Sequence, residues 1–185
     1  MPRQILSKQK IIETSVSLIE SGSELSFSLV AQQLGTRSQA LYSYFSNQQE
    51  LSYCVVAWAI NQVSQQLQQK IFGQTGIKGI IALATEFRSL ALKHFKLTQL
   101  VLKMPRTNAY PELTGAFEQL RSLINQLLAT EYSEPKQQLL ASRYLRDLTI
   151  GDIVNVGTGW FADKSLPADK SFPKMLEQVL KNIAN

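Results

Sequence analysis

SFSLVAQQLGTRSQALYSYFSNQQEL, residues 26–51, decides the fold. Val30, Ala31 and Leu34 form one apolar stripe, spaced for a single helical face. Gly35 follows at once, and glycine accepts the positive φ that ends a helix. A second helical run, Arg37 to Phe45, carries Leu41 and Phe45 four residues apart. Ala31 lies four residues before the glycine, on the inner face, where a small side chain lets two helices cross closely. Two short helices joined by a tight turn are the pattern of a helix-turn-helix, spanning about residues 26–46.

The segment LGTRSQALYSYFSNQQEL resembles the DNA-binding end of the TetR family of bacterial transcriptional regulators. That family's pattern is roughly IA-x-x-x-G, then LY-x-x-F, a short polar link and E-L. Val30, Ala31, Gly35, Leu41, Tyr42, Phe45, Glu50 and Leu51 stand at those positions. The resemblance is clear over residues 8–51 and general beyond. It implies an all-α chain, with a three-helix DNA-binding domain over residues 1–52. A helical effector-binding and dimerisation domain would occupy residues 53–185. The implied function is that of a homodimeric repressor on a palindromic double-stranded DNA operator, released by a small-molecule effector. Helix pairs with a glycine between them also occur in plain bundles. A helical adaptor, or a small-ligand-binding protein without DNA binding, is therefore the competing reading.

The residues upstream supply the third helix. Ile11, Ile12, Ser15, Val16, Leu18 and Ile19 fall on one face, with Ser7 as the expected N-cap and Gly22 as the stop. Ser26 sits where the next helix needs a cap. Its hydroxyl can hold the helix end or meet a phosphate, and Ser28 is a weaker candidate of the same kind. If Leu41 and Phe45 face inward, Ser38, Gln39 and Tyr42 face outward and Tyr44 lies at the edge. Arg37, Ser38 and Gln39 occupy the end that a recognition helix inserts into the major groove. There arginine can bond guanine and glutamine can bond adenine, each through two atoms. The resemblance implies that Tyr42 and Tyr44 contact the DNA backbone. It also exposes two departures: Gln48 replaces a common lysine, and Arg37 replaces a small hydroxyl cap. Arg3, in the arm before the first helix, is a further candidate for a phosphate or groove.

The 185-residue chain is 44% hydrophobic, with a net charge of +5. Composition excludes a wholly disordered chain and fits a polyanionic partner. The charge is unevenly placed. Arg3, Lys8, Lys10 and Arg37 are balanced over residues 1–51 by Glu13, Glu20, Glu24 and Glu50. The DNA-binding end is neutral, so a local basic face is expected there rather than a basic domain. The one cysteine, Cys54, suits a reducing compartment. No run of about 18 apolar residues and no secretory core at the amino terminus appear, so no membrane partner and a cytoplasmic location are expected.

Beyond the motif, Leu51, Val55, Trp58, Ile60, Val63, Leu67 and Ile71 sustain one long helix to about residue 72. Helical runs then begin at Ile77, Leu97, Pro111 and Glu134, and a last helix at Phe172. Gly151, Gly159 and Phe161 resemble the carboxy-terminal part of a TetR subgroup, with Ile150 where that subgroup has histidine. One histidine and one cysteine without paired-ligand spacing give no metal site, and no catalytic triad or phosphate loop can be assembled. No enzyme activity and no cofactor are expected. His94 reads first as a helix-end residue. An effector cavity, mainly apolar with a few polar groups, would draw on Phe87, His94, Phe117 and Tyr144. The run from Leu140 to Val156 is apolar on more than one face, and the last helix offers a narrow stripe. Leu140, Leu148, Met175, Val179 and Ile183 are accordingly the expected dimer interface.

Overall fold

The computed structural model describes residues 6–184; Arg3 lies outside them. Among the described residues the regular structure is entirely helical. The elements are α1 (Lys8–Glu20), α2 (Phe27–Gln33), a 3-10 helix (Ser38–Ser43), α3 (Gln48–Lys70), α4 (Gly76–Lys93), α5 (Phe95–Lys103), α6 (Pro111–Leu128), α7 (Pro135–Gly157) and α8 (Ala168–Ala184). They form two compact units. One comprises the chain up to Asn61 with His94–Phe117, and the other Gln62–Lys93 with Glu118 to the end. The expected division at residue 52 thus falls inside α3, and α5 with the start of α6 joins the helix-turn-helix.

The first unit closes around Ile11, Ile12, Ile19, Phe27, Val30, Ala31, Leu41, Phe45, Leu51 and Val55, with Leu97 of α5 among them. Ser15, inside this core, donates its hydroxyl to the Ile11 carbonyl at 2.8 Å, so its burial leaves no polar atom unpaired. The caps follow the sequence. Ser7 Oγ accepts the Lys10 N–H and Ser26 Oγ accepts the Leu29 N–H, both at 3.2 Å. Before α3, Asn47 Oδ1 accepts the Glu50 N–H while the Glu50 carboxylate accepts the Ser46 N–H, a reciprocal arrangement akin to a capping box.

Gly35 turns the chain between α2 and the 3-10 helix with φ +64°. The Thr36 N–H reaches back to the Ala31 carbonyl and the Gly35 N–H to Gln32, the paired bonds of a left-handed helix stop. The next segment is shorter and tighter than the α-helix expected over Arg37–Phe45. Arg37, at the cap position, makes no side-chain bond to the helix end. The Ala40 N–H closes on the Arg37 carbonyl three residues back, a 3-10 bond. Leu41 and Phe45 are nonetheless fully buried, as their spacing requires.

Glu112, in the first turn of α6, gathers two other helices of this unit. It accepts from Lys8 of α1 at 2.8 Å and from the Cys54 thiol of α3 at 3.4 Å. Burial and the bond to Glu112 push that thiol up to about 12. The Lys8 hydrogen bond holds the Glu112 carboxyl below its ordinary range despite partial burial.

The second unit packs α4, α7 and α8 with the adjoining ends of α3 and α6. Its core holds Leu67, Ile80, Leu83, Leu128, Leu145, Phe172, Leu176 and Leu180. Tyr132 is buried and donates to the Leu180 carbonyl at 2.9 Å, and Gln137 donates to that of Ile183. Late carbonyls of α8 are thereby satisfied from outside the helix. Arg88 of α4 is also buried. Its Nε bonds Asp152 of α7, its Nη1 bonds Asp169 in the first turn of α8 at 2.7 Å, and it lies over the Phe172 ring. Burial opposes the charge, but the bonds to Asp152 and Asp169 outweigh it and push the guanidinium above its ordinary range.

Two stability outcomes follow from this architecture. A Cβ at Gly35 would meet no atom within 4 Å, so Gly35→Ala tests backbone conformation alone. It should lower unfolding free energy by about 1–2 kcal/mol in urea titration, the cost of a left-handed alanine. Arg88→Met leaves the Asp152 carboxylate buried without its partner and should cost about 3–5 kcal/mol. Arg88→Met with Asp152→Leu should recover most of that loss, as measured by thermal unfolding.

Candidate functional site

The exposed face of the helix-turn-helix is assembled from the start of α2 and the 3-10 helix. Tyr42 packs edge-on against Phe27, ring centroids 4.9 Å apart, which sets the 3-10 helix beside Ser26 and Ser28. Arg37, Gln39 and Ser28 are exposed, Ser26 and Ser38 half-buried, and Tyr42 is 55% exposed. Ser26 accepts the helix N–H through oxygen and keeps its proton to donate outward. Arg37 and Gln39 lie in the same short stretch, with buried Leu41 fixing which side faces solvent.

Two side chains of this region are committed within the unit. The Tyr44 hydroxyl, sought on the DNA backbone, donates to the Leu6 carbonyl at 2.8 Å. Its remaining capacity is to accept, which a phosphate oxygen cannot use. The Gln48 amide folds back to donate to the Leu25 carbonyl at 2.6 Å, tying the start of α3 to the loop before α2. Gln48 therefore serves as an internal strut where the resemblance implies an outward-facing cation. Arg37 is the one base in residues 26–51, so this face supplies hydrogen bonds and shape more than charge.

A second candidate site lies in the other unit. Leu83, Ala84 and Phe87 of α4, Leu120 and Ile124 of α6, and Ser142, Leu145, Arg146, Thr149 and Ile150 of α7 surround a cavity. The cavity is open on one side, and together with the solvent at its mouth it spans about 490 Å³. The walls are overwhelmingly apolar, as suits a small-molecule site. Thr149 is buried, and its hydroxyl has no hydrogen-bond partner. Of the four expected cavity residues only Phe87 lines it. His94 stands at the junction of α4 and α5, exposed, with Nδ1 3.1 Å from a Glu20 carboxylate oxygen in the first unit. Phe117 also belongs to the first unit and carries the Arg106 guanidinium on its face at 3.5 Å. Tyr144 is exposed, beyond the margin of the α7 face that buries Ala141, Leu145 and Thr149. Sequence reading missed Thr149, which shares a face with Leu145, although that four-residue spacing was available in the sequence.

The residues expected at a dimer interface divide. Leu140 and Met175 are exposed. Leu148 and Val179 pack partly against the unit's own core, and Ile183 is buried within it. The Leu176, Leu180 and Ile183 stripe of α8 is thus occupied inside the unit. The apolar surface left over on α7 is Leu139, Leu140, Tyr144 and Val154. Among the described residues, no three His, Cys, Asp or Glu side chains gather to hold a metal ion, and no helix is long and apolar enough to cross a membrane.

No protein-family model matches the sequence, and no curated protein is similar to it. Solved structures are. A protein of unknown function from Rhodococcus sp. RHA1 superposes with a TM-score of 0.82 at 16% identity, covering 100% of this chain and 98% of that one. The transcriptional regulator FadR from Bacillus subtilis, in complex with stearoyl-CoA, gives 0.66 at 17% identity, covering 94% and 97%. TetR-Q116A from Acinetobacter baumannii AYE, in complex with minocycline, gives 0.70 at 17% identity, covering 96% of each. The fold is TetR-like over the whole chain: all-α, with a helix-turn-helix at the amino-terminal end.

Proposed function

We propose that this protein is a DNA-binding transcriptional regulator, a repressor that sits on a palindromic operator as a homodimer and leaves it when a small apolar effector binds. The observation that carries the reading is the division of the helix-turn-helix. Leu41 and Phe45 are locked in the core, while Arg37, Gln39 and Tyr42 of the same short stretch are exposed. That placement offers one short edge of donors to a groove, with Ser26 and Ser28 beside it for phosphates. The cavity between α4, α6 and α7 supports the effector half of the reading. An effector acts only through unequal affinity for the DNA-bound and free states.

Dimerisation supports operator binding by a face with so little charge, since two linked half-site contacts act together. The exposed apolar residues Leu140 and Tyr144 of α7 and Met175 of α8 are the surface we assign to it. Exposed Arg37 and Gln39 at the end that a recognition helix inserts into the major groove favour the regulator over a helical adaptor or a small-ligand-binding protein without DNA binding.

The reading is tested by measuring binding to palindromic sequences selected from random duplex DNA. Specific binding to a two-fold site is expected. Binding to no DNA, even at low salt, would replace this reading with the adaptor. Gln39→Ala should weaken the selected site by about 1–3 kcal/mol and relax preference at one or two base pairs. Each neutralised phosphate adds about −0.9 to the slope of log affinity against log salt, so a shallow slope is expected. Leu140→Asp with Met175→Asp changes exposed positions and should leave helical circular dichroism intact. It should give a monomer in sedimentation and abolish operator binding; a persisting dimer would move the interface elsewhere.

A further inference from the structure

The cavity is not uniformly greasy, and its one buried exception has a distinctive geometry. Hydroxyls within helices of this chain ordinarily bond the carbonyl four residues back: Ser15 to Ile11, Ser52 to Gln48, Thr85 to Ile81, Thr114 to Tyr110. That is the usual way to satisfy a serine or threonine inside a helix. Thr149 is 95% buried, lines the cavity and does not do so. Its hydroxyl is without any partner. A buried hydroxyl turned away from its own backbone is costly unless something else bonds it.

The charge nearby selects against an ion at that depth. The buried groups one turn further along α4 and α7 are Arg88 and Asp152, oppositely charged and bonded to each other, with Arg88 Nη2 and Asp152 Oδ1 left without a partner. Arg146, the charged lining residue, is exposed. We infer that the cavity takes an uncharged, largely apolar molecule bearing one hydroxyl or carbonyl oxygen, and that Thr149 is the residue that reads that oxygen. The inference rests on the cavity being the effector site, and it names what that site selects. An apolar body fits Leu83, Phe87, Ile124, Leu145 and Ile150, while the single oxygen pairs with Thr149 and removes the unmet hydrogen bond.

Two probes that differ by hydroxyl for methyl, 4-ethylphenol and 4-ethyltoluene, separate this from plain greasiness. Their affinities are measured by isothermal titration calorimetry on the full chain without DNA. In Thr149→Val, which keeps shape and loses the hydroxyl, the affinity ratio should shift by about tenfold toward 4-ethyltoluene. Thr149→Ser should keep the ratio of the unaltered protein. Thr149→Val should also hold or raise the melting temperature, because it removes an unpaired buried polar group. An unchanged ratio in Thr149→Val, or failure of both probes to bind the unaltered protein, overturns the inference. Because DNA is absent from the assay, such a failure leaves the operator-binding result standing, and failure to bind an operator leaves this ratio standing.

Discussion

A guanidinium with almost no exposed surface must be matched by acceptors, and in the second unit that requirement fixes three helices together. Arg88 can reach Asp152 and Asp169 only if α7 and the first turn of α8 both present carboxylates to the same side of α4. Phe172, beneath the guanidinium, fills the space a solvent shell would otherwise need. An apolar pair of similar volume could hold these helices with equal strength. What the ion pair adds is register: sliding α7 by one residue would turn Asp152 away and bury it alone. The cavity lies on the neighbouring turns of α4 and α7, so its shape depends on the same register.

The first unit is governed by a different economy. Its core is apolar and continuous, and its few polar side chains are occupied in holding loops and helix ends. Tyr44 holds Leu6, Gln48 holds Leu25, and Glu112 holds Lys8 and Cys54. The first two tie segments beside the short α2 and the 3-10 helix, which are too brief to fix themselves unaided. What remains outside is a narrow polar edge. A face of that kind gains its selectivity from the position of a few donors, and a rigid support matters more to it than added positive charge.

Local signals carried most of the helix-turn-helix. Ser7 and Ser26 cap where their positions before apolar runs indicate, Gly35 turns where φ must be positive, and Leu41 and Phe45 bury at their four-residue spacing. The 3-10 form of the second motif helix was not legible, because six residues carry no period that separates three from 3.6 residues per turn. Arg88 escaped notice for another reason. Its acceptors lie 64 and 81 residues away, and a lone arginine in a helical run looks like any solvated charge. His94 and Phe117 were expected at the cavity by residue type, but both belong to the first unit, whereas the cavity is lined by α4, α6 and α7 within the second. The cavity's apolar walls were visible as helical stripes, but which stripe faces a space and which faces a neighbour depends on three helices meeting.

Cys54 gives the chain one more property. Its thiol is buried and donates to the Glu112 carboxylate, and it stays protonated far above neutral pH. Disulfide exchange and alkylation both require the thiolate, so burial and the bond to Glu112 disfavour both reactions at this thiol. For the spectroscopist the chain is a ready single-label scaffold: a cysteine installed at exposed Gln39 or Met175 would take a fluorophore or spin label, with no need to delete the one the protein already has.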